Sequence, residues 1–424
     1  MKLLFASAAV LTWLATGVLA TAPPPLNKAV PVSNHFIVQY NDDVSAADRQ
    51  KHEALLHATV SRHTKYRGIM KTFSIGSFQG YHVEIDAQSV RDLQAANIIK
   101  TVIPDARISI NAAIPSTSRV LIPRDGDLPP GSDIRVMPAA TWGQSRLSHR
   151  NSGSSGFVYQ RGGSTAYVID TGIRVTHEEF LDPTNATTRA IWGKNFLDAN
   201  TVDTDENGHG THVAGTIGGR TLGIAPETEL IACKVFDANG GGPWSGVLAA
   251  MDWAVKDAVA KNRVGRSVIN MSLGGGKFQP VDDAVTAAVN AGITVVVAAG
   301  NTGDLVKNIS PAGNADAITV GAIYDDDSRA EWSNYGDGLD VFAPGYAIKS
   351  AWIDSDTATR EESGTSMACP HVAGLVAYLM EIFGPHTPAQ MRDRVNGLAT
   401  MGKVTGAGDG SANAIAYNGN EMFL

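Results

Sequence analysis

Four short stretches follow one another along the chain: Asp170-Thr171-Gly172, His209-Gly210-Thr211-His212, Ala299-Gly300-Asn301 and Gly364-Thr365-Ser366-Met367-Ala368-Cys369-Pro370-His371. They hold a carboxylate, an imidazole, a side-chain amide and a hydroxyl, each beside glycine or another small residue. That set suffices for nucleophilic acyl transfer. A hydroxyl attacks, an imidazole moves its proton, a carboxylate orients the imidazole, and an amide N–H receives the negative oxygen. Each group also has a plainer reading. Asp170 and Asn301 are residue types that close turns, and a serine ahead of a helix is commonly its N-cap. His209 and His212 stand at i, i+3 on one helical face, as a metal pair would, but no glutamate or third ligand stands beside them at zinc-like spacing. His212 therefore reads as a packed histidine.

Residues this far apart in sequence need a scaffold that makes them converge. Beyond Trp142, near-continuous apolar runs predict buried strands over 165–169, 229–236, 267–273, 293–299, 317–322 and 339–342. Helical patterns over 210–217, 245–261 and 281–290 lie between several of them, and a long apolar helix spans 367–383. Such alternation predicts an α/β fold with a doubly wound, mostly parallel sheet covered on both faces. Sites in these sheets lie beyond the carboxyl ends of the strands. Asp170 and Asn301 stand there, while His209 and Ser366 open helices whose first N–H groups face any developing negative charge. Pro370 is expected in the first turn of its helix, where its missing N–H costs nothing.

The region before Trp142 is organised differently. Lys2, an apolar run to Leu19 and Val18-Leu19-Ala20 make residues 1–20 a signal peptide; Pro23-Pro24-Pro25 then blocks continuation as a membrane helix. No later segment reads as long or apolar enough to span a bilayer, so no membrane partner is expected. Residues 34–110 alternate as strand, helix, strand, strand, helix, strand, with helices over 46–62 and 87–96, which is the split-βαβ order of a small ferredoxin-like α+β unit. Residues 112–141 carry Pro115, Pro123, Pro129, Pro130 and Pro138 around Arg124-Asp125-Gly126-Asp127, a processing linker or mature N-terminal segment without regular structure. A formal charge of −8 supplies no basic field and excludes nucleic acid as an expected partner. Two cysteines, Cys233 and Cys369, are too few for a disulfide framework and read as buried thiols.

The motifs around Asp170, His209 and Ser366 resemble those of the subtilase family of serine peptidases, and the chain is most similar to its proteinase K-like, fungal extracellular branch. Ser272-Leu273-Gly274-Gly275-Gly276, Val297-Ala298-Ala299-Gly300-Asn301, Ser333-Asn334-Tyr335-Gly336 and Pro370-His371-Val372-Ala373-Gly374 support the match. The resemblance implies an inhibitory propeptide over 21–111, cut near Asn111 to Ala113, and a subtilisin-like catalytic domain over 142–424. It implies that Ser366 attacks, His209 relays the proton, Asp170 orients His209, and the Asn301 amide with the Ser366 N–H forms the oxyanion hole. Gly240, Gly241 and Gly242 on one side and Ser272, Leu273 and Gly274 on the other would pair with an extended substrate. Leu273, Gly274, Gly275, Ala298, Ala299 and Gly300 would line an uncharged P1 pocket favouring apolar or aromatic residues, and Trp244 would wall the P4 pocket or be a buried aromatic. The branch also implies a structural calcium site at the positions of Ala315, Ala317 and Asp340; a turn aspartate making only hydrogen bonds is the alternative. No cofactor is expected for catalysis. Expected partners are protein and peptide substrates and the chain's own propeptide, with the enzyme a secreted monomer. Asn185 and Asn308 head glycosylation sequons, Asn185 in a loop being the best candidate, whereas Asn270 falls in a predicted buried strand and should be unmodified. Two rival readings remain: a dead relative that binds peptides through the same cleft, and a zinc hydrolase using His209 and His212. A neutral His209 as base predicts activity falling below about pH 7.

Overall fold

A computed structural model of the chain describes residues 30–60, 66–110, 134–160, 164–182, 184–197 and 202–420. The expected signal peptide, the expected cut and most of the linker lie outside the described residues.

The N-terminal unit runs β1 (Val30–Tyr40), α1 (Ala46–Val60), β2 (Gly68–Ile75), β3 (Phe78–Glu84), α2 (Ala87–Gln94), β4 (Ile99–Ser109). This is the anticipated split-βαβ order, with an antiparallel sheet ordered β4-β1-β3-β2. One face buries Val38, Tyr40, Tyr81, Val83 and Ile85 against Leu56 and Leu93 of its own helices. Period-two alternation sends Ile37, Phe73, Ile75 and Phe78 to the opposite face, where they join the core of the larger domain. The unit is thus a sheet with helices on one side and the rest of the protein on the other. β4 runs seven residues beyond the expected end of its strand at 102. The extension past Pro104 and Asp105 is held first by β1, which pairs Phe36 with Pro104 and Pro31 with Ala106, and then by the larger domain, which pairs with Arg107, Ile108 and Ser109.

The larger domain opens with β5 (Ile134–Met137), α3 (Trp142–Ser148) and β6 (Phe157–Gln160). β5 pairs antiparallel with β6, so the end of the anticipated linker is structured after all. Thr141 starts α3 through a capping box with Gln144, each satisfying the other's backbone N–H. There follow β7 (Thr165–Asp170), β8 (Ala190–Asn195), α4 (His209–Gly218), β9 (Glu229–Lys234), β10 (Gly241–Pro243), α5 (Trp244–Ala260), β11 (Ser267–Met271) and β12 (Gly275–Gly276). The chain continues with α6 (Gln279–Asn290), β13 (Thr294–Ala298), β14 (Ile309–Ser310), β15 (Ile318–Ile323), β16 (Val341–Pro344), β17 (Ile348–Ala351) and β18 (Thr359–Glu362). It ends with α7 (Thr365–Phe383), α8 (Pro388–Leu398), β19 (Thr400–Met401) and β20 (Ala414–Ile415).

The main sheet is ordered β19-β20-β16-β15-β13-β11-β7-β9-β8, parallel except at β19. Its central strands β16, β15, β13, β11 and β7 are buried on both faces, as a doubly wound sheet requires. Along β7, Ala166 and Val168 face α4 and α7, while Tyr167 and Ile169 face α5 and α6. β13 divides its residues likewise. Among the described residues α7 is long and apolar enough to cross a membrane, contrary to expectation. Its apolarity has another cause: it packs through the core beneath the sheet and is mostly buried.

Candidate active site

β7 ends on Asp170 and α4 begins on His209, and the two side chains meet with Asp170 Oδ1 2.8 Å from His209 Nδ1. An ionised carboxylate only accepts, so Nδ1 carries the proton and Nε2 is left as the basic nitrogen. Asp170 is fully buried and His209 is 8% exposed; Nε2 makes no hydrogen bond. Burial works against the imidazolium, but the Asp170 carboxylate beside it, with Asp205 and Glu362 nearby, outweighs burial and raises the pKa above the ordinary 6.5.

The approach of strand end to helix start is close. A Cβ on Gly210 would lie 2.1 Å from the Gly172 carbonyl, so only glycine fits there. Asp205, which sequence reasoning passed over, ties the two together. It accepts from Thr171 Oγ1 on the strand side and from Asn207 N, Gly208 N, Thr211 N and Thr211 Oγ1 on the helix side. Thr171 Oγ1 in turn accepts from Gly210 N at 2.9 Å. Fully buried Lys234 donates to Thr171 O at 2.7 Å and pairs with Glu206 at 3.3 Å. A loop carboxylate four residues before His209 has no periodic signature; only its density of donors marks it.

Ser366 is the second residue of α7 and is 2% exposed. Its hydroxyl donates to Ser272 O at 3.1 Å rather than to His209. Pro370 lies beyond the first turn, because the helix starts at Thr365. Its absent N–H would have bonded Ser366 O, and Ser272 Oγ takes that place at 2.9 Å. Asn270 Nδ2 donates to Ser272 Oγ at 3.0 Å, and Cys369 Sγ donates to Asn270 Oδ1 at 3.2 Å. The end of β11 thus grips the start of α7 through side chains on both. The thiols of Cys233 and Cys369 are free and buried, as expected, and burial raises both pKa values.

Asn301 follows β13. Its Oδ1 accepts from Thr365 N at 2.9 Å and Thr365 Oγ1 at 2.7 Å, and Thr365 Oγ1 accepts from Gly300 N at 3.0 Å. This fixes the amide orientation and leaves Nδ2 buried with no partner. A Cβ placed on Gly364 would meet Asn301 Nδ2 at 3.2 Å and Ser366 N at 3.6 Å. Two donors therefore converge on one small space kept open by a glycine. Such donors, held in advance where no water competes, are what a negative oxygen needs.

Gly241, Gly242 and Pro243 pair antiparallel with Ser109, Ile108 and Arg107, and Ile110 N donates to Gly240 O at 2.8 Å. The end of the N-terminal unit thus lies as an added strand along the predicted substrate track. Side chains would obstruct it: a Cβ on Gly240 would come 2.5 Å from Ile110, and one on Gly242 2.0 Å from Val235 O. The Ile108 side chain lies beside Gly275 and the Trp244 ring, which is fully buried and stacked on Phe278 at 5.5 Å. Trp244 is therefore a wall of this depression and a buried aromatic at once. Among the described residues the tail pairs on one side only; Gly275–Gly276 pairs instead with Ile309–Ser310. Leu273, Ala298 and Ala299 are buried with no charge among them.

The remaining candidates separate. His212 donates from Nε2 to Ile348 O at 2.8 Å, its ring edge-on to Trp352, and burial lowers its pKa to about 3. It is a packed histidine, and among the described residues no group of three or more His, Cys, Asp or Glu could hold a metal. Asn185 and Asn308 are exposed, and Asn270 is fully buried. Asp340 does not offer a free cation site with Ala315 and Ala317: Arg392 donates from Nε to Asp340 Oδ1 at 2.6 Å and from Nη1 to Ala315 O. The donor set expected for calcium does not fit an ion while the guanidinium is there.

A buried carboxylate–imidazole pair, a hydroxyl at a helix start and converging amide donors, at the carboxyl ends of parallel strands, define a serine hydrolase of subtilisin-like architecture. The comparisons carry this further. The Subtilase family matches residues 163–414, and Peptidase inhibitor I9 matches residues 35–111. The chain is 41% identical over 393 residues to Subtilisin-like protease 2 of Pseudogymnoascus destructans, covering 92% of this chain and 90% of that one. It is 39% identical over 405 residues to the Alkaline proteinase of Hapsidospora chrysogena, covering 95% and 96%. The Cuticle-degrading serine protease of Arthrobotrys oligospora is 47% identical over 287 residues, covering 66% and 68%. A cold adapted subtilisin-like serine proteinase of known structure matches with 40% identity and a TM-score of 0.61, over 66% of this chain and 98% of that one. The chain belongs to the subtilase family, in its proteinase K-like branch, and is a serine endopeptidase carrying an I9 propeptide. The family requires no cofactor for catalysis.

Proposed function

We propose that the protein is a secreted zymogen whose mature form hydrolyses peptide bonds through Ser366, His209 and Asp170. Ser366 Oγ attacks the scissile carbonyl as His209 Nε2 takes its proton, and the same nitrogen then delivers that proton to the leaving amine. Asp170 holds the productive tautomer and stabilises the imidazolium. The negative oxygen of the tetrahedral intermediate rests on Asn301 Nδ2 and Ser366 N, and water then releases the acyl group. The Ser366 hydroxyl, which here donates to Ser272 O, turns to His209 for the attack, and such contacts commonly tighten once substrate binds. The observation that carries this reading is the Asp170–His209 contact of 2.8 Å, beside an Asn301 amide whose free donor has no other use.

The pairing of Ser109, Ile108 and Arg107 with Gly241–Pro243 supports residues 21–111 as a propeptide that inhibits by occupying the substrate track. With Ile108 in the pocket walled by Trp244, taken as the P4 position, the count along an extended chain puts P1 at Asn111 and the scissile bond before Ala112. Residues 1–20 direct export, and the mature enzyme works as a monomer on protein and peptide substrates. An uncharged lining from Leu273 to Gly275 and Ala298 to Gly300 favours large apolar or aromatic P1 residues. Asn185 and Asn308 are the sequons open to glycosylation.

The test is wild type against Ser366→Ala on a peptide library, with N-terminal sequencing of the product. Wild type should mature to a chain beginning at Ala112 and cleave Phe substrates faster than Arg substrates. Ser366→Ala should remain unprocessed and inactive. Casein hydrolysis by Ser366→Ala, or a wild-type chain that hydrolyses nothing after propeptide removal, would overturn the assignment.

A further inference from the structure

Asp340 precedes β16 with its carboxylate only 3% exposed, a place where a negative charge needs a cation. Its main chain and side chain both grip β15: Asp340 N donates to Thr319 O at 3.0 Å, and Thr319 N donates to Oδ2 at 2.8 Å. Oδ1 faces α8, from which Arg392 reaches in. The guanidinium spans Oδ1 through Nε and the Ala315 carbonyl through Nη1.

We propose that Arg392 is the resident cation of this site and holds the oxygens that a calcium ion would otherwise bridge. Calcium requires six to eight oxygen ligands at about 2.3–2.6 Å. An ion within that distance of Asp340 Oδ1 and Ala315 O would meet two guanidinium nitrogens bound to those same atoms, and like charges so close repel strongly in a buried setting. Among the described residues no group of three acidic or other metal-ligating side chains stands there to compensate. Arginine suits the position because its charge is permanent and its planar fork matches two oxygens at once. The arrangement also does what an ion alone would not: it ties α8 to the ends of β15 and β16, joining the C-terminal part of the chain to the central sheet.

The experiment measures thermal unfolding of the full chain in a Ser366→Ala background, so that neither autolysis nor activity affects the readout. The parent, Arg392→Gln and Asp340→Asn are each compared in EGTA and in calcium at about 5 mM, above the dissociation constants of extracellular calcium modules. The parent is expected to show no calcium shift beyond any that Asp340→Asn retains. Arg392→Gln should unfold roughly 4–8 °C lower in EGTA and recover part of that loss in calcium. A calcium-induced rise in the parent that Asp340→Asn abolishes would overturn the proposal, since the guanidinium would then yield to an ion. So would an Arg392→Gln chain as stable as the parent, or one that calcium leaves just as destabilised.

Discussion

At the residue scale, His209 sits between two opposing influences, burial that resists its charge and a carboxylate that favours it. The carboxylate prevails, so the pKa lies above 6.5. The base is active when neutral, and activity should therefore fall as pH drops through a value above 6.5. Stability runs the other way: the raised pKa means that the Asp170–His209 pair stabilises the fold fully below about 6.5 and loses that contribution as pH climbs through the raised value. A kcat/KM profile flat down to pH 5 would contradict the assignment. Glu362, 5% exposed and held by Arg360 at 2.8 Å, adds to the negative field of Asp170 and Asp205 at His209. Glu362→Gln should move the acid limb to lower pH while Ser366 stays reactive, as a pH–rate comparison would report. Asn301→Ala should lower kcat by about 10²–10³ with little change in KM, the range known for loss of this donor in subtilisin, a relative.

At the scale of elements, function depends on how strand ends grip helix starts. Asp205 and Thr171 join β7 to α4, and Ser272 joins β11 to α7. Ser272→Ala would strip the partner from Ser366 O, a buried carbonyl that Pro370 cannot serve. The expected cost is about 1–3 kcal/mol, read from thermal or denaturant unfolding. Because that carbonyl belongs to the nucleophile, kcat should fall too, whereas a purely structural role would leave it unchanged. Secondary structure at this scale was largely legible: β7, β11, β13 and β15 lie within about two residues of the expected runs, since strands buried on both faces read as unbroken Val/Ile segments. β8 was not, because Gly193 and Lys194 interrupt its apolar pattern, and it gains strand character only by pairing with β9.

At the scale of the molecule, the I9 unit and the catalytic domain share one hydrophobic cluster, with Ile37, Phe73, Ile75 and Phe78 packed among residues of α5 and α6. Polar contacts set the register. Asp105 accepts from Ser245 N at the start of α5, Ser74 N donates to Asp252, and Gln39 and Lys100 both reach Asp283 on α6. Asp283→Lys should therefore loosen the docked unit and shorten the latent period, followed as activity against time alongside a gel of the released propeptide. An unchanged latency would show that the apolar contacts alone hold it.

The sequence by itself determined the family, the two-part plan and the residues able to do chemistry, because those depend on residue type, local period and spacing. Asp170, His209, Asn301 and Ser366 could be named for that reason. Tertiary structure decided what each group faces. It gave Asp205 its ring of donors, set Pro370 past the first turn where Ser272 must compensate, drew β4 out along Gly241–Pro243, and placed Arg392 on the oxygens reserved for an ion. Those outcomes depend on which distant backbones come within hydrogen-bond reach, and no local pattern records that.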